Sequence, residues 1–254
     1  AAARGKVGPA LAKDRASRQP NVLILLFDDL RFDSFSYRGG PVPTPNIDAL
    51  AAQSTRFDTA ITTTGLCSPS RAALFTGRWG HRTGLDDIVG AWRTKSAGLD
   101  PAQGGIIRRA ADAGYYVGYI GKWHLGANGP ALRGAQYVSN MDDELEASLR
   151  PSVPYSRKEA VDRYLRGERD ANGEKTQYYE TQTGTYAETP AADKVRSAKR
   201  FLHLAVKDAR PFFGVVSFKD PHPPYRVPQP YAGMFDPAKI ALPKNFLAPR
   251  VNTP

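Results

Sequence analysis

The apolar positions of the chain fall into two patterns, short unbroken runs and stretches of helical spacing. "NVLILLF" (21–27) is continuous rather than alternating, which predicts a strand buried on both faces of a parallel sheet, with a central place in it. Behind it, "TPNIDALAAQSTRF" predicts a helix with Thr44 as N-cap and Pro45 at its first position, carrying Ile47, Leu50, Ala51, Ser54 and Phe57 down one face. A second helix is expected to open at Asp100-Pro101, stop at Gly114 and feed the strand "YYVGYI" (115–120). The third pair has the same order: Thr189-Pro190 opens a helix with Val195, Ala198, Phe201, Leu202 and Ala205 on one face, and "PFFGVVSF" (211–218) is the strand after it. Helices alternating with strands make an α/β protein with a mostly parallel central sheet flanked by helices. The stretch 127–188 is polar and rich in Gly, Tyr and charge, and is expected to be an excursion over the sheet with one helix near 157–166. Residues 1–20 are a polar lead-in expected to be loosely ordered, and the proline-rich 220–254 is expected to be irregular loop.

Composition narrows the classes. At 254 residues and 41% hydrophobic the chain is long enough for a large core. Its net charge of +10 and pI of about 9.7 favour anionic partners such as nucleic acid, membrane surfaces, sulfated glycans or phosphate esters. No aromatic-basic motif for nucleic acid is present, so no nucleic-acid partner is expected. The longest apolar run, Val22 to Phe27, is too short to span a bilayer. A single cysteine rules out an intramolecular disulfide.

The chemistry stands at the strand ends. The first strand runs into Asp28-Asp29, the second into Gly121-Lys122-Trp123-His124, the third into Lys219-Asp220-Pro221-His222. Ligands of open α/β sheets bind beyond the carboxyl ends of the strands, so these clusters are expected to share one crevice. Lys122 and His124, two apart after a strand, are expected to point the same way. In "GLCSPSRAALFTG" (65–77) Ser68 is read as N-cap, Pro69 as first helical residue and Gly77 as the stop. Cys67 then sits ahead of a helix N-terminus, where an anion is favoured and a thiol pKa can fall, with Arg71 one turn in. A thiolate nucleophile is one reading of this cysteine; a buried structural residue beside a cap is the other. His81 lines the pocket or lies on a surface turn, and His203, between Leu202 and Leu204, is expected to be structural.

"CSPSRAALFTG" resembles the signature of the type I sulfatases, whose cysteine is oxidised to formylglycine, an aldehyde with a nucleophilic hydrate. "GYYVGYIGKWHLG" (114–126) looks like the second sulfatase signature, "LLFDDLR" like the first metal strand, and "SFKDPHPPYRVPQPYAGMFDPAKIALPKNF" like the region of a sulfate-binding histidine. The resemblance runs from about Asn21 to Pro254, the middle excursion unmatched. It implies an alkaline-phosphatase/sulfatase-like fold and a sulfate monoester hydrolase acting on a sulfated small molecule or glycan, carbohydrate sulfates first. Phosphate or phosphonate monoester hydrolysis, or a catalytically inactive binder of sulfated glycans, are the alternatives. It further implies Asp28, Asp29 and the residue 67 oxygen as ligands of a divalent cation, calcium with magnesium as the alternative; adjacent hard oxygens suit such an ion. By the same resemblance Arg71 pairs with the formylglycine, Lys122 clamps sulfate, His124 partners the formylglycine hydroxyl, and His222 meets the sulfate or protonates the departing alcohol. A formylglycine-generating enzyme is an implied partner, and the location implied is periplasmic, secreted or lysosomal, although no signal peptide is visible. Trp92, Arg93 and Lys95 are candidates for sugar binding. Two features depart from the family pattern. Val117 stands where Ser or Thr is usual, and neither the later Asp-Asn or Asp-His ligand pair nor a second substrate lysine has a counterpart. The chain is therefore expected to be the N-terminal portion of a larger catalytic domain, completed by a C-terminal part in the same or a separate chain.

Overall fold

The computed structural model describes residues 19–89, 98–141, 179–222 and 225–240. Most of the lead-in, the helix expected near 157–166 and the sugar-binding candidates Trp92, Arg93 and Lys95 lie outside the described residues. The chain forms two compact units, one of Ala1–Ser156 with Pro190–His222, the other of Arg157–Thr189 with Pro223–Pro254.

The first unit is built on a four-stranded sheet, parallel throughout, in the order β1 (Val22–Phe27), β5 (Phe212–Phe218), β2 (Tyr116–Gly121), β3 (Tyr137–Ser139). The alternation of side chains across a strand divides the core in two. Val117 and Tyr119 of β2, with Phe213 and Val215 of β5, pack on Ala72 and Phe75 of helix α2 (Cys67–Thr76) and on Ile107 and Ala110 of helix α4 (Ile106–Asp112). The opposite face, Ile120 and Val216, packs on Phe201 of the long helix α5 (Pro190–Lys207). Phe201 owes its seat to two glycines paired across the strands, Gly118 and Gly214; a Cβ at either would lie 2.5 or 2.7 Å from its ring. Helices on both faces explain why β2 and β5 read as unbroken apolar runs.

β1 differs from its expected place. Among the described strands it is an edge, bonded to β5 alone, and Leu23 and Leu25 are 42% and 51% exposed because α5 covers β5 and β2 but leaves this face of β1 open. The first helix, α1 (Pro45–Ala52), stops before Ser54 and leaves Phe57 outside it, and Leu50 within it is exposed, so the predicted face is not formed. Thr44 makes no capping bond to the backbone; its hydroxyl bonds Ser36 and Asp48 and holds the preceding loop. The helix expected from Pro101 is divided. Asp100 caps a single 3-10 turn, Pro101–Gln103, by accepting from the Ala102 N–H (2.8 Å), and α4 starts only at Ile106 because Gly104 and Gly105 both take positive φ. Within the expected excursion, Tyr137–Ser139 joins the main sheet beside β2. The second unit pairs β4 (Tyr179–Thr185) in parallel with β6 (Tyr225–Gln229), so the region expected to be loop holds a strand. Among the described residues no helix is long and apolar enough to cross a membrane.

Candidate functional site

The carboxyl ends of β1, β2 and β5 meet the N-terminus of α2. Leu66, extended at φ −120° and ψ 142°, is the N-cap of α2, and Gly77, at φ 70°, terminates it. Cys67 is therefore the first residue of the helix, not a residue ahead of it. Ser68, expected as the N-cap, is fully buried inside the first turn. From there its hydroxyl donates to the His124 carbonyl (2.8 Å) and accepts from the Val89 N–H (3.0 Å), tying α2 to the segment after β2.

Asp28 is the buried charge around which the rest is arranged. The Lys122 ammonium donates to one carboxylate oxygen, and Arg71 Nη2 lies 3.6 Å from the other. Arg71 Nη1 donates to the Lys122 carbonyl (2.8 Å) and to Ser217 Oγ (2.9 Å). The Tyr119 hydroxyl donates to the same carbonyl (2.6 Å), and the Lys122 N–H donates to the Ser217 carbonyl (3.0 Å). Gly121 makes this approach of β2 to β5 feasible: at φ 93°, any Cβ would fall 2.0 Å from the Ser217 carbonyl oxygen. Ser217 is thus a site residue that sequence reading missed. It opens the quoted segment that leads to His222 but was read only as part of the strand, and only the strand order brings it to Arg71 and Lys122.

The electrostatics follow from this arrangement. Burial pushes the Asp28 carboxyl up, but the hydrogen bond from Lys122 and the charges of Lys122, Arg71 and His222 outweigh it and hold the group below the usual carboxylate range. At Cys67 burial dominates: it pushes the thiol up, Asp28 and Asp29 push it further, and Lys122 and Arg71 only partly oppose them. Of the two readings of this cysteine, the lowered thiol pKa is opposed here, first by burial and then by the negative charges of Asp28 and Asp29.

Ligand atoms of Asp28, Cys67 and His222 all lie within 4.8 Å of one another. Asp29 is exposed, with φ 62°, and is not one of these three, though its charge reaches the Cys67 thiol. His124 is half-buried at φ 54°, and β2 has ended at Gly121, so the period-2 alternation expected to align it with Lys122 does not extend that far. His81 and His203 are both exposed, on helix α3 (Gly80–Thr83) and on α5, and neither joins the cluster. A carboxylate, a sulfur and an imidazole form a mixed donor set. An oxygen-bearing group at position 67 beside Asp28 would shift that set toward what calcium takes, about six to eight oxygens.

Residues 20–245 match the family model described as Sulfatase. Over 237 residues the chain is 32% identical to the ulvan-active sulfatase of Formosa agariphila, an alignment covering 89% of this chain and 40% of that protein. Among solved structures, Ps i-CgsB is similar with a TM-score of 0.59 at 25% identity, over 81% of this chain and 46% of that one. The phosphonate monoester hydrolase of Agrobacterium radiobacter is similar with a TM-score of 0.58 at 24% identity, over 88% and 45%, a likeness of fold. The chain thus spans less than half the length of each of these proteins. The family match covers parts of both compact units and the three strand ends around the Asp28, Cys67 and His222 cluster, and on that ground the chain belongs to the sulfatase family.

Proposed function

We propose that this chain carries the N-terminal share of the active site of a hydrolase of sulfate monoesters, with carbohydrate sulfates as the substrate class. The observation that carries the reading is the cluster of Asp28, Cys67 and His222 within 4.8 Å, with Arg71 and Lys122 on the same buried carboxylate. Formylglycine at position 67 would supply a geminal diol as nucleophile, and a calcium ion, which Asp28, Asp29 and residue 67 would hold, would supply positive charge against the sulfate oxygens. The remaining work belongs to side chains of this chain. Arg71, fixed by the Lys122 carbonyl and Ser217, holds its guanidinium charge in place beside the site. Lys122 exchanges its bond to Asp28 for a sulfate oxygen as substrate enters, so its charge follows the anion. His222 gives a proton to the departing alcohol oxygen, and His124 takes one from the residue 67 hydroxyl. Together these charges offset the repulsion that a sulfate ester presents to any nucleophile.

The test uses a form extended beyond Pro254, expressed with a formylglycine-generating system. Peptide mass spectrometry should show Cys67 with SH2 lost and O gained. Matched aryl sulfate and aryl phosphate turnover, followed by a panel of defined sulfated saccharides, should favour sulfate and identify the leaving group. Active enzyme with a wholly unmodified thiol would refute the formylglycine assignment. A preference for the phosphate ester would replace sulfate as the substrate class.

A further inference from the structure

We infer that the outward face of α5 binds the sulfated polysaccharide that carries the scissile ester, through a row of basic side chains at Arg196, Lys199, Arg200, His203 and Lys207. The inference rests on the carbohydrate-sulfate reading above. All of these residues are exposed, and the only other exposed residue of the helix is Val206. They recur three or four apart, which sets them on one side of the helix, while Lys194, Phe201 and Ala205 are buried on the other. Asp193, the only acidic residue of α5, is bonded to Arg196. Among the described residues Lys199, Arg200, His203 and Lys207 have no ion-pair partner. Alignment sets this face apart, not exposure alone. Arg56 and Arg109 are exposed too, but Arg56 follows α1 and lies over the Tyr37 ring, and the exposed residues of α4 include Ile106 and Asp112 beside its arginines.

The packing of α5 fixes where the row runs. Near the start of the helix, Lys194 Cε would lie 2.8 Å from a Cβ on Gly121, the last residue of β2; further along, Phe201 covers Gly118 and Gly214. The helix therefore runs opposite to the strands, and Arg196 stands toward the carboxyl end of the sheet, where Asp28, Cys67 and His222 gather. From there the row leads away for roughly 16 Å, at 1.5 Å rise per residue, to Lys207. It is placed to hold parts of a polymer that are not being hydrolysed, and it adds nothing to the chemistry.

The composition of the face selects the partner. It carries no exposed aromatic ring on which a base could stack, and its apolar side is turned into the core, so it has nothing to insert into a bilayer. What remains is a line of cations, and the arginine fork and the lysine ammonium both take a sulfate oxyanion. Exposed ion pairs are individually weak and screened by salt. Binding therefore needs several at once, and a sulfated polymer supplies them where a single sugar sulfate does not. The net charge of +10 draws such a polyanion to the chain.

The probe is dextran sulfate, with unsulfated dextran as its control, against the form extended beyond Pro254. Lys199→Gln with Arg200→Gln should lower affinity for dextran sulfate about tenfold at low ionic strength and flatten its dependence on salt, with Tm unchanged. Arg56→Gln with Arg109→Gln removes the same formal charge away from the row and should leave affinity within about twofold. An equal loss in the two variants overturns the row, because net charge alone then accounts for binding. Unaltered affinity in the first variant overturns it as well. Oligothymidylate or phosphatidylserine vesicles that bind as tightly as dextran sulfate, and lose as much in the first variant, overturn the polysaccharide as the partner. Selective loss of dextran sulfate binding in a protein that hydrolyses no sulfate ester sustains the face and removes the sulfatase reading.

Discussion

Asp28 shows how closely the residues of this site depend on one another. A buried carboxylate flanked by Lys122 and Arg71 is held ionised by them, so removing either cation leaves a buried charge less compensated. Lys122→Ala and His222→Ala should each cost about 2–4 kcal/mol of transition-state stabilisation, the scale of a lost preorganised donor, while the melting temperature of His222→Ala changes little. Turnover near wild type in either variant would return that residue to a structural role. Ser217 acts through Arg71, whose Nη1 it holds at 2.9 Å. Ser217→Ala should lower kcat about tenfold and weaken inhibition by free sulfate in proportion. Ser217→Thr, which keeps the hydroxyl, should recover most of both, an outcome that a packing defect alone would not produce.

At the scale of elements, the position of α5 on the sheet depends on two missing side chains. Phe201 lies on Gly118 and Gly214, where a Cβ would stand 2.5 or 2.7 Å from the ring. Gly118→Ala must move the ring or the helix, and overpacking of this kind costs about 1–3 kcal/mol, or roughly 2–4 °C of Tm per kcal/mol in a chain of this size. Thermal unfolding checks this, and an unchanged Tm would show that α5 is free to shift. Helix α2 works at the opposite face. It presents Cys67 at its first turn and is tied by Ser68 to the His124 carbonyl.

For the whole molecule the open edge of β1 and the ligand count point the same way. Leu23 and Leu25 are exposed on a strand that is an edge among the described strands, an arrangement that leaves apolar surface and strand backbone open to a further partner. Asp28, Asp29 and residue 67 supply fewer oxygens than the six to eight that calcium takes. Residues 1–254 alone should therefore bind calcium weakly and turn over no aryl sulfate. A longer form, or a separate chain carrying an Asp-Asn or Asp-His pair, should restore both and protect the β1 amides from hydrogen exchange. Tight calcium binding and full activity in the short chain would mean that the metal site is completed from within it.

What the sequence determined by itself was local. A strand end followed by Asp28, another by Lys122, and a cysteine joined to a helix start by Ser-Pro-Ser-Arg are contiguous along the chain, so residue types and spacing carry them without knowledge of the fold. Strand β5 and helix α5 were legible for the same reason, through unbroken apolar runs and helical periodicity. The tertiary structure decided whatever depends on non-local pairing. Insertion of β5 between β1 and β2 puts Ser217 beside Arg71, 146 residues away in sequence. It also leaves β1 at an edge although its composition is that of a central strand, because burial depends on what packs alongside and not on the strand's own residues. The thiol of Cys67 is the clearest case: a place at a helix start led to the expectation that its pKa can fall, yet burial, joined by the charges of Asp28 and Asp29, pushes it up, and the burial is not written in the residues around position 67.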